Sequence, residues 1–204
     1  MNFGLCKLVA TVALFCVIAP AAMAEPDLST PKKSGVAFAK AVQTGDMATA
    51  KSISTGTDAE YAMIQLISDM ATSMNGLGAA SEKKFGAEGK LPKEMAMDMA
   101  GEFESAEEKI TGDTATLVLK SKPDDKFPPT FKKDGDKWKI DLSNLGKDPE
   151  TAQMQQMVPT MIKAMKAVTK NIEDGKYKTA AEAMADLGAQ MAGGAAPAPT
   201  EPPK

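Results

Sequence analysis

The spacing of apolar residues changes twice along this 204-residue chain, and these changes restrict the fold more than any single motif does. Before residue 100 the apolar positions recur every three or four residues, the period of a helix with one buried face. Thr30-Pro31 places a capping hydroxyl before a proline at the first helical position, and Val36, Phe38, Ala39 and Val42 follow. Thr44-Gly45 ends that helix, and Asp46 opens a short one that buries Met47, Ala50 and Ile53. From Asp58, the positions Met63, Leu66, Ile67, Met70, Met74 and Leu77 draw a third, longer helix. Gly76, Gly78 and the stretch 86–89 are expected to fray its end, with a further helical turn or two through Met95 and Met99.

From Glu102 the pattern becomes that of strands. Four are expected: Phe103 to Ile110, Thr114 to Ser121, Phe127 to Lys133 and Lys137 to Leu142. In the last, Trp138, Ile140 and Leu142 alternate with Lys137, Lys139 and Asp141, so Trp138 should be buried. Thr111-Gly112-Asp113 and Asp134-Gly135 read as turns. Pro123, Pro128 and Pro129 put the loop between them at a sheet edge. After Leu145-Gly146 the helical period returns. Asp148 caps a helix with Pro149 first, and Met154, Met157, Met161, Met165 and Val168 form its stripe, kinked or divided at Pro159. A last helix starts at the capping box Thr179 to Glu182 and buries Ala180, Met184, Leu187 and Met191. The order predicts an α+β fold: N-terminal helices packed on a curved antiparallel sheet of about four strands, with extra C-terminal helices.

The first 24 residues do not belong to that core. Lys7, the uncharged run from Leu8 to Ile18, Pro20 and the triplet Ala22-Met23-Ala24 follow the order of a cleaved signal peptide. The apolar run is shorter than the roughly 20 residues that span a bilayer, so no stable membrane anchor is expected. Phe15 precedes Cys16 where a lipoprotein signal carries a small residue, which argues against lipidation. The expected mature chain begins at Glu25 and is periplasmic or secreted. Both cysteines, Cys6 and Cys16, are lost with the leader, so the fold stands on packing without disulfides. Residues 193–204, GGAAPAPTEPPK, have nothing to bury and are expected to be a disordered Pro/Ala-rich tail.

Gly45-Asp46, Gly112 to Val118 (GDTATLV) and Lys133 to Asp141 (KDGDKWKID) stand at the turns and strands of a helices-then-meander pattern. In these features residues 25–146 resemble small exported members of the nuclear-transport-factor-two-like superfamily, also called SnoaL-like or cystatin-like cones. The resemblance implies a sheet curved around the helices and a conical apolar cavity, which some members use for ligands or catalysis. It places Tyr61, Met70, Met74 and Trp138 as candidate lining of that cavity. Residues 147–192 are an addition to the pattern, and their helices are positioned to close the cone.

The residue inventory excludes more chemistry than it supplies. The chain has no histidine and no arginine, and the mature part has no cysteine. Ser-His-Asp and Cys-His nucleophilic sites are therefore ruled out, and zinc loses its usual ligands. Interspersed lysines and carboxylates, with a net charge of −3, make no nucleic-acid footprint. Isomerases of the superfamily pair a tyrosine with an acid, and only Tyr61 and Tyr177 are on offer here. Met95, Met97 and Met99, with the Met154 to Met165 series, have the spacing of thioether Cu(I) sites, although a buried helical stripe explains the second group. Lys163, Lys166 and Lys170 read as a solvated face. The acidic stretches at 122–126 and 134–141 lack calcium-loop spacing. No catalytic residue, metal ligand or cofactor is assigned. The expectation is a non-catalytic binding or interaction module of the cell envelope, taking an apolar or amphipathic small molecule or a protein. Behind it stand a carboxylate-based enzyme with its site in the cone and a methionine-based Cu(I) binder.

Overall fold

The computed structural model describes residues 25–192 except 93, 94, 96 and 148, with the side chains of 149–154 also left aside. The expected leader, the 193–204 tail, the Asp148 cap and the Met154 side chain lie outside the described residues. The chain is α+β, with the helical and sheet segments in the expected order. Helix α1 spans Pro31–Thr44, α2 Met47–Ser52, α3 Asp58–Phe85, α4 Met99–Ser105, α5 Pro149–Glu173 and α6 Ala180–Met191. The strands are β1 Ser54–Thr55, β2 Glu107–Thr111, β3 Thr114–Val118, β4 Thr130–Asp134 and β5 Lys137–Asp141.

Helix ends follow local chemistry. Thr30 Oγ1 accepts from the Lys33 amide to start α1, and Gly45, at φ +80°, turns the chain out of it while the Asp46 amide donates back to Ala41 O at 2.8 Å. Asp46 then caps α2 through the Thr49 amide at 3.0 Å. Thr57 and Glu60 form a reciprocal capping box on α3. Both hairpins are two-residue Gly-Asp loops, Gly112-Asp113 and Gly135-Asp136, with glycine at positive φ in the first position and no positive φ at the aspartate. That combination matches the type II′ turn, whose twist suits paired strands.

The sheet runs in the order β1-β5-β4-β3-β2. Consecutive strands from β2 to β5 pair antiparallel, whereas β1 pairs parallel to β5 through Ser54 with Ile140 and Thr55 with Asp141. The sheet is thus mixed and five-stranded. A two-residue strand shows no alternation, which hides β1 in the sequence. Phe103 belongs to α4 and not to a strand: Asp98 accepts from the Gly101 amide and caps a helix that delays β2 until Glu107. Met95 lies outside that helix. Ser121 and Phe127 fall in the connection between β3 and β4, and Leu142 opens a 3-10 turn. The prolines of that connection join two inner strands, and Pro129 still accepts from the Leu117 amide.

One core lies between the helices and the inner face of the sheet, where Phe38, Val42, Phe103, Leu117, Phe131, Trp138 and Ile140 are buried together. Trp138 is 6% exposed, and its amide donates to Leu28 O at 2.9 Å, so residues just after position 24 are stitched to β5. A second core gathers Leu77 of α3, Val158, Ile162, Met165, Val168 and Ile172 of α5, and Ala183 and Leu187 of α6. The C-terminal helices therefore build on α3 and do not close the sheet. This second surface also holds α3 together past Gly76 and Gly78, because burial of Leu77, with Ala80 and Phe85 packed beside it, offsets a cost of roughly 1 kcal/mol per glycine. Helix α5 likewise runs unbroken through Pro159. In α6 the buried face is Ala183, Asp186 and Leu187, so Ala180 is half-buried and Met191 is 42% exposed.

Candidate functional site

Helix α1 has two faces with different neighbours. Phe38, Ala39 and Val42 face the sheet core. Along the other side Lys32, Val36, Lys40 and Thr44 follow one another at intervals of four, beside Lys33, Ala37 and Ala41; of these Ala41 is buried in the sheet core, and Val36 and Ala37 pack on its edge. This side is the floor of a groove of about 770 Å³. Pro26 and Asp27 stand at the end where α1 begins, Asp46 and Thr49 at the end where α2 begins, and Glu104 of α4 contributes a further wall. Val36, Ala37 and Ala41 make the floor apolar, and lysines and carboxylates ring it.

Two of these carboxylates are engaged in structural contacts. Asp27 accepts from Lys33 Nζ at 2.8 Å and from the Ser29 amide at 3.0 Å, and these bonds hold its carboxyl far below the usual range. Asp46 is lowered too, first by its bond with Thr49. Neither is tuned toward neutral pH, where a general acid or base works best. Among the described residues, no group of three or more His, Cys, Asp or Glu side chains is arranged to hold a metal.

The four candidate lining residues do not converge. Tyr61 and Trp138 belong to the sheet core: the Tyr61 hydroxyl donates to Ser54 O at 3.2 Å, and Lys51 Nζ lies 5.4 Å from its ring centre. Met70 and Met74 pack on the second core, across α3. None of the four lines the groove. In the sheet core beside Trp138, Phe103 and Phe131 pack edge to face with ring centres 6.4 Å apart. The methionine series is spread as well: Met165 is buried, Met161 half-buried and Met157 55% exposed. Met95, Met97 and Met99 are each half-buried.

Two features went unread in the sequence. Val36 reads there as a buried-face position and does pack on the edge of the sheet core, but it also floors the groove, which only the four-residue spacing of Lys32, Val36, Lys40 and Thr44 marks. The other is Asp186, buried at 5% exposure in α6 and hydrogen-bonded to the Tyr177 hydroxyl. A tyrosine does meet an acid in this chain, but between α5 and α6 and away from the groove. Burial and the Asp186 bond push the Tyr177 phenol up to about 12. No family model, curated protein or solved structure matches the chain.

Proposed function

We propose that this chain is an exported, non-catalytic binding module of the cell envelope and that the groove along α1 receives its ligand, an apolar or amphipathic molecule. The observation that carries the reading is the groove itself. Its volume falls within the roughly 300–1,000 Å³ of small-molecule sites, and its apolar floor is ringed by polar groups that fix orientation. Two of the three carboxylates lining the groove, Asp27 and Asp46, are engaged in an ion pair and a helix cap, which favours binding over carboxylate chemistry there. Export is supported by the order of charge, apolar run and small residues in positions 1–24. Kinship with nuclear-transport-factor-two-like proteins is part of the same proposal and rests on the helices-then-meander order and the Gly-Asp turns.

The carboxylate-enzyme alternative draws on one observation, the Tyr177–Asp186 pair, which lies outside the groove. The Cu(I) alternative gains nothing from the unequal burial of Met157, Met161 and Met165. Titration calorimetry with decanoate below its micellar concentration tests the proposal. The wild type should bind, and Val36→Asp, which puts a charge on the groove floor at a side chain half-buried against the edge of the sheet core, should weaken binding at least tenfold, about 1.4 kcal/mol, in protein whose native tryptophan emission shows that core intact. Absence of binding, or binding that Val36→Asp leaves unchanged, would overturn it.

A further inference from the structure

Helix α6 packs on α5, and among the described residues no other helix or strand makes an extensive contact with it. It reaches the second core through Ala183 and Leu187, with Met184 and Tyr177 at the margin. On the same buried face sits Asp186. Its Oδ2 accepts from the Tyr177 hydroxyl and from Gln190 Nε2 at 2.9 Å, and Asn171 Nδ2 of α5 donates to the Tyr177 oxygen at 3.1 Å. Its Oδ1 is buried and has no donor among the described residues.

A carboxylate oxygen buried without a donor loses its hydration and receives nothing in return. Docking of α6 thus gains the burial of Ala183 and Leu187 and at the same time incurs the desolvation of Asp186. Lifting α6 from α5 reverses both, and only the carboxylate benefits. The connection allows such a movement, since Gly175, at φ +73°, turns the chain after α5 and four residues separate it from the start of α6. We infer that α6 is a releasable lid on the α5 side of the second core, with Asp186 as a built-in bias toward opening. Opening exposes apolar side chains of α5 while the sheet core and the α1 groove stay intact, because α6 contributes to neither.

Once undocked, a 12-residue helix is marginal in water, so its amides exchange with solvent whenever the lid opens. Native-state hydrogen exchange on the full chain tests the inference directly. Amides of Met184 to Met191 should open at least ten times more often than those of Ile162 to Ile172. Asp186→Asn keeps the side-chain shape and the helix propensity; its amide nitrogen takes the place of Oδ1 and is also unpaired, but a neutral amide loses far less hydration on burial than a carboxylate, so exchange in α6 should slow about tenfold with α5 and the sheet unchanged. Tyr177→Phe removes one of the donors to Oδ2 and should speed it. Exchange of α6 in step with α5 would overturn the inference, as would an Asp186→Asn chain whose α6 opens as often as the wild type or more often.

Discussion

Trp138 and Tyr177 are each the only residue of their kind in their own core, which makes them probes of the two halves of the structure. Truncation of Trp138 to alanine should cost roughly 3–5 kcal/mol, read from chemical denaturation, because it empties the centre of the sheet core. Its native emission should be that of a buried indole; a solvent-exposed spectrum would contradict its placement. Tyr177 gives a pH signature. A phenol normally ionises near 10, and here the value is raised to about 12, with burial as the larger cause and the Asp186 bond next. A raised folded value means that the contribution to stability is complete below about pH 10 and is lost as the pH climbs toward 12. Ultraviolet titration should show a phenol ionising near pH 12 in the wild type and lacking in Tyr177→Phe. Trp138 was legible in the sequence because strict alternation leaves it only one face to occupy. Asp186 was not, since an aspartate in a helix is read as solvent-facing unless its partner on another segment is known.

At the level of elements, the sequence is most informative where a local device stands alone. The Thr30-Pro31 start of α1, the Asp46 cap and the Gly-Asp hairpins are all where their side-chain chemistry puts them. It misleads where distant packing decides. Gly76 and Gly78 look like a helix end, yet α3 continues to Phe85 because a second core lies against it. Two glycine substitutions separate these cases. Nothing lies within 4 Å of a Cβ added at Gly76, so Gly76→Ala should stabilise the chain by roughly 0.5–1 kcal/mol if the helix runs through that position. A Cβ at Gly89 would come 2.1 Å from Ser81 O, so Gly89→Ala must push backbone apart and should destabilise by roughly 1–3 kcal/mol. Thermal melts of the two variants should therefore shift in opposite directions. Strand β1 marks the limit of such reading, because two residues carry no period and its parallel pairing with β5 is set by where α2 delivers the chain.

For the molecule as a whole, α3 is the shared wall of two cores, and the helices after the sheet enlarge the fold instead of capping it. The N-terminal residues join in at once: Glu25 pairs with Lys137 at 2.6 Å and Leu28 is buried, so a mature chain that starts at Glu25 keeps every contact described. Intact mass of protein recovered outside the cytoplasm should give Glu25 as the first residue, and a chain retaining positions 1–24 would contradict the export reading. The groove is the part of the candidate site least visible in advance, since it depends on Pro26, Asp46 and Glu104 meeting around α1 from three separate segments. Its role as the ligand surface is most directly tested by mapping amide chemical shifts during a decanoate titration. Shifts should concentrate in residues 26–49 and at Glu104. Shifts centred on Tyr61, Met70, Met74 and Trp138, or spread evenly over the chain, would contradict the account.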